Sequence, residues 1–165
     1  RNERQWDLIF VDAFLGNSPP WQLYTREAFA LYRDRLKPGG AVIVNFIGNH
    51  LDTEQLPALE AVVTTALQVF YAVDVYPDPW VPDDYPTRNI YIALADHARL
   101  EPRHVGEPRQ TTDLVEAIAR MQPLPVGEGG VLTDDAAPLE PLVRRTTEYL
   151  RYESGGYLPM SVLFH

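Results

Sequence analysis

The chain has 165 residues, 45% of them hydrophobic, and a formal net charge of -9 from 23 acids against 14 bases. That length suits one domain with a real core, and no run reaches the roughly 20 apolar residues of a membrane span. An acidic surface with a single lysine, Lys37, repels nucleic acid and anionic membrane and suits a small cationic partner. The absence of cysteine excludes disulfides, thiolate nucleophiles and thiolate metal sites, and it fits a cytoplasmic location.

Taken in chain order, the first apolar run is Leu8 to Val11, ending in Asp12. A Pro-rich loop follows, and Thr25 then reads as the N-cap of an amphipathic helix carrying Ala28, Phe29, Leu31, Tyr32 and Leu36. Pro38-Gly39-Gly40 reads as its stop, and Ala41 to Phe46 as the next buried strand. Strand, loop, helix and strand in that order make the βαβ unit of a parallel sheet. Few residues precede the first strand, which predicts that this is the C-terminal part of a longer protein, the cofactor's glycine loop lying upstream.

Thr53 to Phe70 reads as a second helix, with Leu56, Leu59, Val62, Val63, Leu67 and Val69 near one face and Pro57 tolerated in its first turn. Tyr71 to Val75 and Asn89 to Ala95 read as strands that pair antiparallel across a loop with four prolines. Beyond His97 the composition turns polar, with helices predicted over 111–121 and 138–152 and a turn at Gly127 to Gly130. The order predicts an α/β fold and matches the C-terminal half of a Rossmann-like, S-adenosylmethionine-dependent methyltransferase fold over 1–96, although the order alone allows other doubly wound folds. A helical extension over 97–165 packs on the same domain.

In open α/β sheets the ligand crevice lies off the carboxyl ends of the strands, which puts Asp12 where chemistry is done. The run Asp12-Ala13-Phe14-Leu15-Gly16-Asn17-Ser18-Pro19 resembles the strand-end motif D-[SA]-x-D-P-x-G-P of the polyamine aminopropyltransferases, the spermidine and spermine synthase family. It matches at Asp12, Ala13 and Pro19, and Leu23-Tyr24 matches the Leu-aromatic pair that follows. Tyr85-Pro86-Thr87 is similar to the family's Tyr-Pro-[ST] step, and Thr133-Asp134-Asp135 with Pro138 is similar to a Thr-Asp-Asp-x-x-Pro stretch of its divergent members. Leu15 stands where the family has its second aspartate, and Gly16 where it has a proline.

The resemblance implies transfer of an aminopropyl group from decarboxylated S-adenosylmethionine to a polyamine such as putrescine, in a homodimer, without a metal. Asp12 is then the base and orienter of the attacking amine, because an ammonium cannot attack until its proton is removed. Tyr85 supplies a hydroxyl and a ring wall, and Leu15, Gln22 and Trp21 complete the substrate contacts. Asp12, Ala13, Pro19 and Leu23 face the co-substrate. Asp83 and Asp84 are candidates to compensate for Leu15.

Two other readings stay open. Asn17-Ser18-Pro19-Pro20-Trp21 resembles the [DNS]-P-P-[YFW] motif of amino-methyltransferases, which use S-adenosylmethionine, although here it lies well inside the loop. Loss of the second aspartate also allows a catalytically silent, synthase-like binding module. Trp21 and Trp80 wall a pocket or cover the core, His50 reads as solvated, and Thr133-Asp134-Asp135 reads as a capping cluster. His97, His104 and His165 have no metal-ligand spacing.

Overall fold

A computed structural model describes residues 4–13, 20–48, 56–81, 88–97 and 125–136. Four strands, β1 (Trp6–Val11), β2 (Leu36–Gly48), β3 (Ala72–Pro77) and β4 (Arg88–Ala95), form one sheet in the order β1-β2-β4-β3. β1 and β2 pair parallel, whereas β4 runs antiparallel to both β2 and β3. The carboxyl ends of β1, β2 and β3 therefore share one rim of the sheet. The helices are α1 (Arg26–Asp34) and α2 (Leu56–Leu67), and a single 3-10 turn, Trp21–Leu23, leads into α1.

Alternation along the strands splits the sheet into two unlike faces. One carries Val11, Val42, Val44, Phe46, Val75, Ile90, Ile92 and Leu94, all buried in a core with Phe29 of α1 and Leu59, Val62 and Ala66 of α2. Phe29 meets Tyr32 and Phe70 edge-on at 6.1 and 6.5 Å between ring centroids. On the other face Trp6, Leu8 and Phe10 of β1 are exposed, at 44%, 56% and 53%, so β1 is buried on one side rather than two.

Several element boundaries differ from those the sequence suggests. α1 stops at Asp34, and Pro38-Gly39-Gly40 lies inside β2 instead of ending the helix. The register explains this, because it slips from Trp6↔Leu36 to Leu8↔Ala41, so four residues of β2, Lys37 to Gly40, bulge against the single Asp7 of β1. Gly39 carries the bulge at φ +80°, and a Cβ at Gly40 would come within 3.0 Å of the Asp7 carbonyl oxygen. Lys37 Nζ holds the same corner through Asp7 Oδ2 at 2.8 Å.

Leu31 and Leu67 are exposed rather than packed, at 62% and 53%. The buried stripe of α2 follows Leu59, Val62, Val63 and Ala66, and Leu67 falls at its edge. Tyr71 precedes β3 and is exposed, while Phe70 turns inward in its place.

Residues 125–136 lie against both helices. Leu132 is buried, its N–H donates to Thr65 Oγ1 at 2.8 Å, and its carbonyl accepts from the Arg26 N–H at 2.9 Å. Gly127 to Gly130 makes no hydrogen-bonded turn but runs along α2, with the Gly129 N–H on Thr64 Oγ1 at 2.8 Å. A Cβ at Gly129 would sit 2.6 Å from the Glu60 carbonyl carbon, whereas one at Gly130 would meet nothing within 4 Å. Gly129→Ala is thus expected to cost about 1–3 kcal/mol through overpacking. Gly130→Ala should leave the thermal melting point nearly unchanged.

The sequence-predicted cap at Thr25 is present and has a second duty. Its Oγ1 accepts from the Ala28 N–H at 3.2 Å and donates to Asp134 Oδ1 at 2.7 Å, and the Asp134 N–H donates to Glu27 Oε2 at 3.1 Å. Asp134 therefore fastens its segment onto the start of α1. Thr25→Ala should lower stability by about 1–2 kcal/mol, read as a lower urea midpoint at constant slope. The predicted helices over 111–121 and 138–152 lie outside the described residues.

Candidate functional site

β1 is a short apolar strand whose polar successor, Asp12, emerges exposed at the carboxyl rim of the sheet. The neighbouring strand brings Asn45 beside it, and Asn45 Nδ2 donates to Asp12 Oδ1 at 2.9 Å. Asn45 is 7% exposed, and its Oδ1 is buried without a hydrogen-bond partner among the described residues. A buried acceptor left unpaired costs on the order of 1–3 kcal/mol, which favours a donor at this Oδ1, while the Nδ2 contact holds the carboxylate in one orientation. Behind the amide, the Tyr24 hydroxyl donates to the Asn45 carbonyl oxygen at 3.3 Å, and the Tyr24 ring packs edge-on to Phe46 at 6.1 Å.

Register extends the arrangement across the sheet. Asn45 pairs with Tyr91 of β4, and Tyr91 pairs with Tyr76 of β3, so Asp12, Asn45, Tyr91 and Tyr76 form one cross-strand row. The row lies on the face opposite the helices. Two residues past Tyr76, the Asp78 N–H donates to the Asn89 carbonyl at 2.9 Å, and Asp78 Oδ1 accepts from the Trp80 N–H at 2.9 Å. Partial burial raises the Tyr91 phenol above its ordinary pKa, and the carboxylates of Asp78 and Asp12 raise it further. Deeper burial raises Tyr24, with smaller contributions from Tyr32 and Asp12. The rim thus carries carboxylates toward both ends and neutral hydroxyls and an amide between them, an arrangement complementary to a cation.

Among the other residues singled out from the sequence, Ala13 is half-buried next to Asp12, and Gln22 is exposed in the 3-10 turn. Trp21 and Leu23 pack against the hydrophobic core. Leu15, Pro19 and Tyr85 lie outside the described residues, as do Asp83, Asp84 and His50. Trp80 is 62% exposed, and His97 is exposed beyond β4. Asn45, Tyr91 and Asp78 were not singled out. Asn45 is the one strongly polar residue in the run Ala41 to Ile47, and that interruption was the available signal. Among the described residues no group of three or more His, Asp or Glu could hold a metal, and no helix is long and apolar enough to cross a membrane.

No protein-family model matches the chain. Over 66 residues it is 35% identical to the "Probable polyamine aminopropyl transferase" of Bifidobacterium longum, a match covering 40% of this chain and 14% of that protein. Over that segment the chain is similar to a polyamine aminopropyl transferase. A solved structure of a probable spermidine synthase from Corynebacterium glutamicum superposes with a TM-score of 0.50 at 21% identity, covering 91% of this chain and 45% of that one. At that identity the likeness concerns the fold, and it agrees with a partial Rossmann-like sheet of the methyltransferase type. The chain thus spans less than half of the solved protein and about a seventh of the curated one.

Proposed function

We propose that this chain supplies the acceptor side of an aminopropyltransferase site, with Asp12 binding and deprotonating the attacking amine of a polyamine such as putrescine. The observation that carries the reading is the Asp12 carboxylate at the end of β1, oriented by the buried Asn45 amide. The name of the Bifidobacterium longum relative points to the same chemistry.

The donor in this reading is decarboxylated S-adenosylmethionine, which supplies a methylene activated by a sulfonium. The amine nitrogen forms a bond to that carbon, the carbon–sulfur bond breaks with its electron pair left on sulfur, and the nitrogen's proton passes to Asp12. What the chain contributes is orientation and proton removal. Asn45 fixes one carboxylate oxygen and thereby directs the other at the nitrogen, which lowers the cost of reaching the attack geometry. A carboxylate beside an amide acceptor that has no partner among the described residues fits cationic ligands, ammonium and sulfonium included. Ala13, Pro19 and Leu23 on the co-substrate, and Leu15, Trp21, Gln22 and Tyr85 on the amine, complete the assignment.

The same reading takes 97–165 as an extension packed on the 1–96 domain, supported by the hydrogen bonds of Leu132 and Asp134 to α1 and α2. It also takes the enzyme as a cytoplasmic homodimer that binds no nucleic acid.

Calorimetric titration of the full-length protein with decarboxylated S-adenosylmethionine, S-adenosylmethionine and methylthioadenosine tests the assignment. Binding of the first and third, with S-adenosylmethionine much weaker, is the expected pattern. Preference for S-adenosylmethionine would make it a methyltransferase, and binding of none would leave a silent module.

A further inference from the structure

The turn that leads into α1 carries three of the residues assigned to the substrates, Trp21 and Gln22 on the amine and Leu23 on the co-substrate. It is a single 3-10 turn, closed by the Leu23 N–H on the Pro20 carbonyl at 2.9 Å and the Tyr24 N–H on the Trp21 carbonyl at 3.0 Å. One such turn has little stability of its own, so its surroundings set its shape. The Tyr32 hydroxyl donates to the Leu23 carbonyl at 3.2 Å, and the Tyr24 hydroxyl donates to the Asn45 carbonyl at 3.3 Å. At its end stands Thr25, fully buried.

The Thr25 hydroxyl has one proton to give and two acceptors in reach. Asp134 Oδ1 takes it at 2.7 Å, whereas the Gln22 carbonyl oxygen lies at 3.5 Å, beyond the ordinary range for a hydroxyl donor. The same Oγ1 accepts from the Ala28 N–H at 3.2 Å, so capping α1 requires no carboxylate. The carboxylate draws the proton away from the turn. Asp134 is itself firmly delivered. Its N–H donates to Glu27 Oε2 at 3.1 Å, buried Leu132 anchors the segment before it, and Thr133 and Ala136 exchange backbone hydrogen bonds at 3.0 Å on either side. Without Asp134 the Gln22 carbonyl is the nearby acceptor for Thr25 among the described residues, and closing that bond pulls the turn out of its present shape.

Resting on the aminopropyl-transfer reading, we propose that Asp134 is a positioning residue for that reaction, holding the turn over 21–25 in the conformation that receives both substrates. It touches neither of them. Its removal lowers the fraction of molecules with the turn in place, and apparent affinity falls by that fraction. Bound substrates hold the turn themselves, so the chemical step at Asp12 keeps its rate. The Asp12 carboxylate is fixed separately, through Asn45 in a strand paired on both edges.

The test is steady-state kinetics of the full-length protein with putrescine and decarboxylated S-adenosylmethionine, together with hydrogen exchange at the Leu23 and Tyr24 amides, for Asp134→Ala and Asp134→Asn. Asp134 is exposed, so neither substitution opens the core. Asp134→Ala should raise KM for both substrates about tenfold with kcat essentially unchanged, and should speed exchange at both amides. Asp134→Asn keeps an oxygen for the Thr25 hydroxyl and should restore KM and exchange to near those of the unmodified protein. A residue that serves stability alone would lower the melting temperature of the alanine variant and leave both KM values and the exchange at Leu23 and Tyr24 where they were. That result, or a lower kcat at constant KM, overturns the positioning role and leaves the aminopropyl-transfer reading standing. If the unmodified protein transfers no aminopropyl group, that reading fails and the positioning role falls with it.

Discussion

Asp12→Asn should lower the turnover number for aminopropyl transfer by a factor of about 10²–10⁴, the usual contribution of a positioned general base. The fold should be untouched. Asp12 is exposed and follows the last residue of β1, so no core packing depends on it. The amide oxygen of the variant side chain still accepts from Asn45 Nδ2, which keeps the Asn45 amide in its present geometry. What is lost is the negative charge and the ability to take a proton. Steady-state rates with unchanged circular dichroism and melting temperature check the expectation. A variant as active as its parent would remove Asp12 from the chemistry.

The second large effect is on stability. Phe29 is fully buried at the meeting point of α1, the sheet and the segment that follows α2, with Tyr32 and Phe70 edge-on to its ring. Phe29→Ala removes a ring that several elements enclose, and neither the sheet nor α2 can close the space without leaving its own contacts. The expected cost is about 3–5 kcal/mol, a large share of the 5–15 kcal/mol that holds a typical domain together. Urea unfolding should show a much lower midpoint at similar slope. A loss under 1 kcal/mol would mean that the core around α1 is loosely packed.

Most elements were legible because they are written in local patterns. The apolar runs at Leu8, Ala41 and Asn89 became strands, and Thr25 became the cap of α1, since a hydroxyl before an amphipathic run has few other uses there. Pro38-Gly39-Gly40 misled for the opposite reason. A proline and two glycines break a helix and also make a bulge, and only the partner strand decides which, here through the slip between Trp6 and Leu8. Leu31 and Leu67 counted as core by type, yet helix rotation leaves them at the edge of the buried stripe.

At the site, Asp12 was visible because position after an apolar strand is local information. Asn45, Tyr91 and Asp78 were not, because they are ordinary residues until β4 is inserted between β2 and β3. Their meeting is a property of sheet order, on which the local sequence of each strand is silent.

The attachment of Leu132 and Asp134 to α1 also constrains how the molecule is made. The first turn of that helix receives the Leu132 carbonyl on the Arg26 N–H and has Asp134 on both Thr25 and Glu27, partners separated by 107 and 109 positions in the polypeptide. A chain emerging from the ribosome displays α1 long before the residues that finish its N-terminus exist. Until then the Arg26 amide must be served by water. The helix is therefore completed late, at the moment when the distant segment arrives and closes a loop of more than a hundred residues.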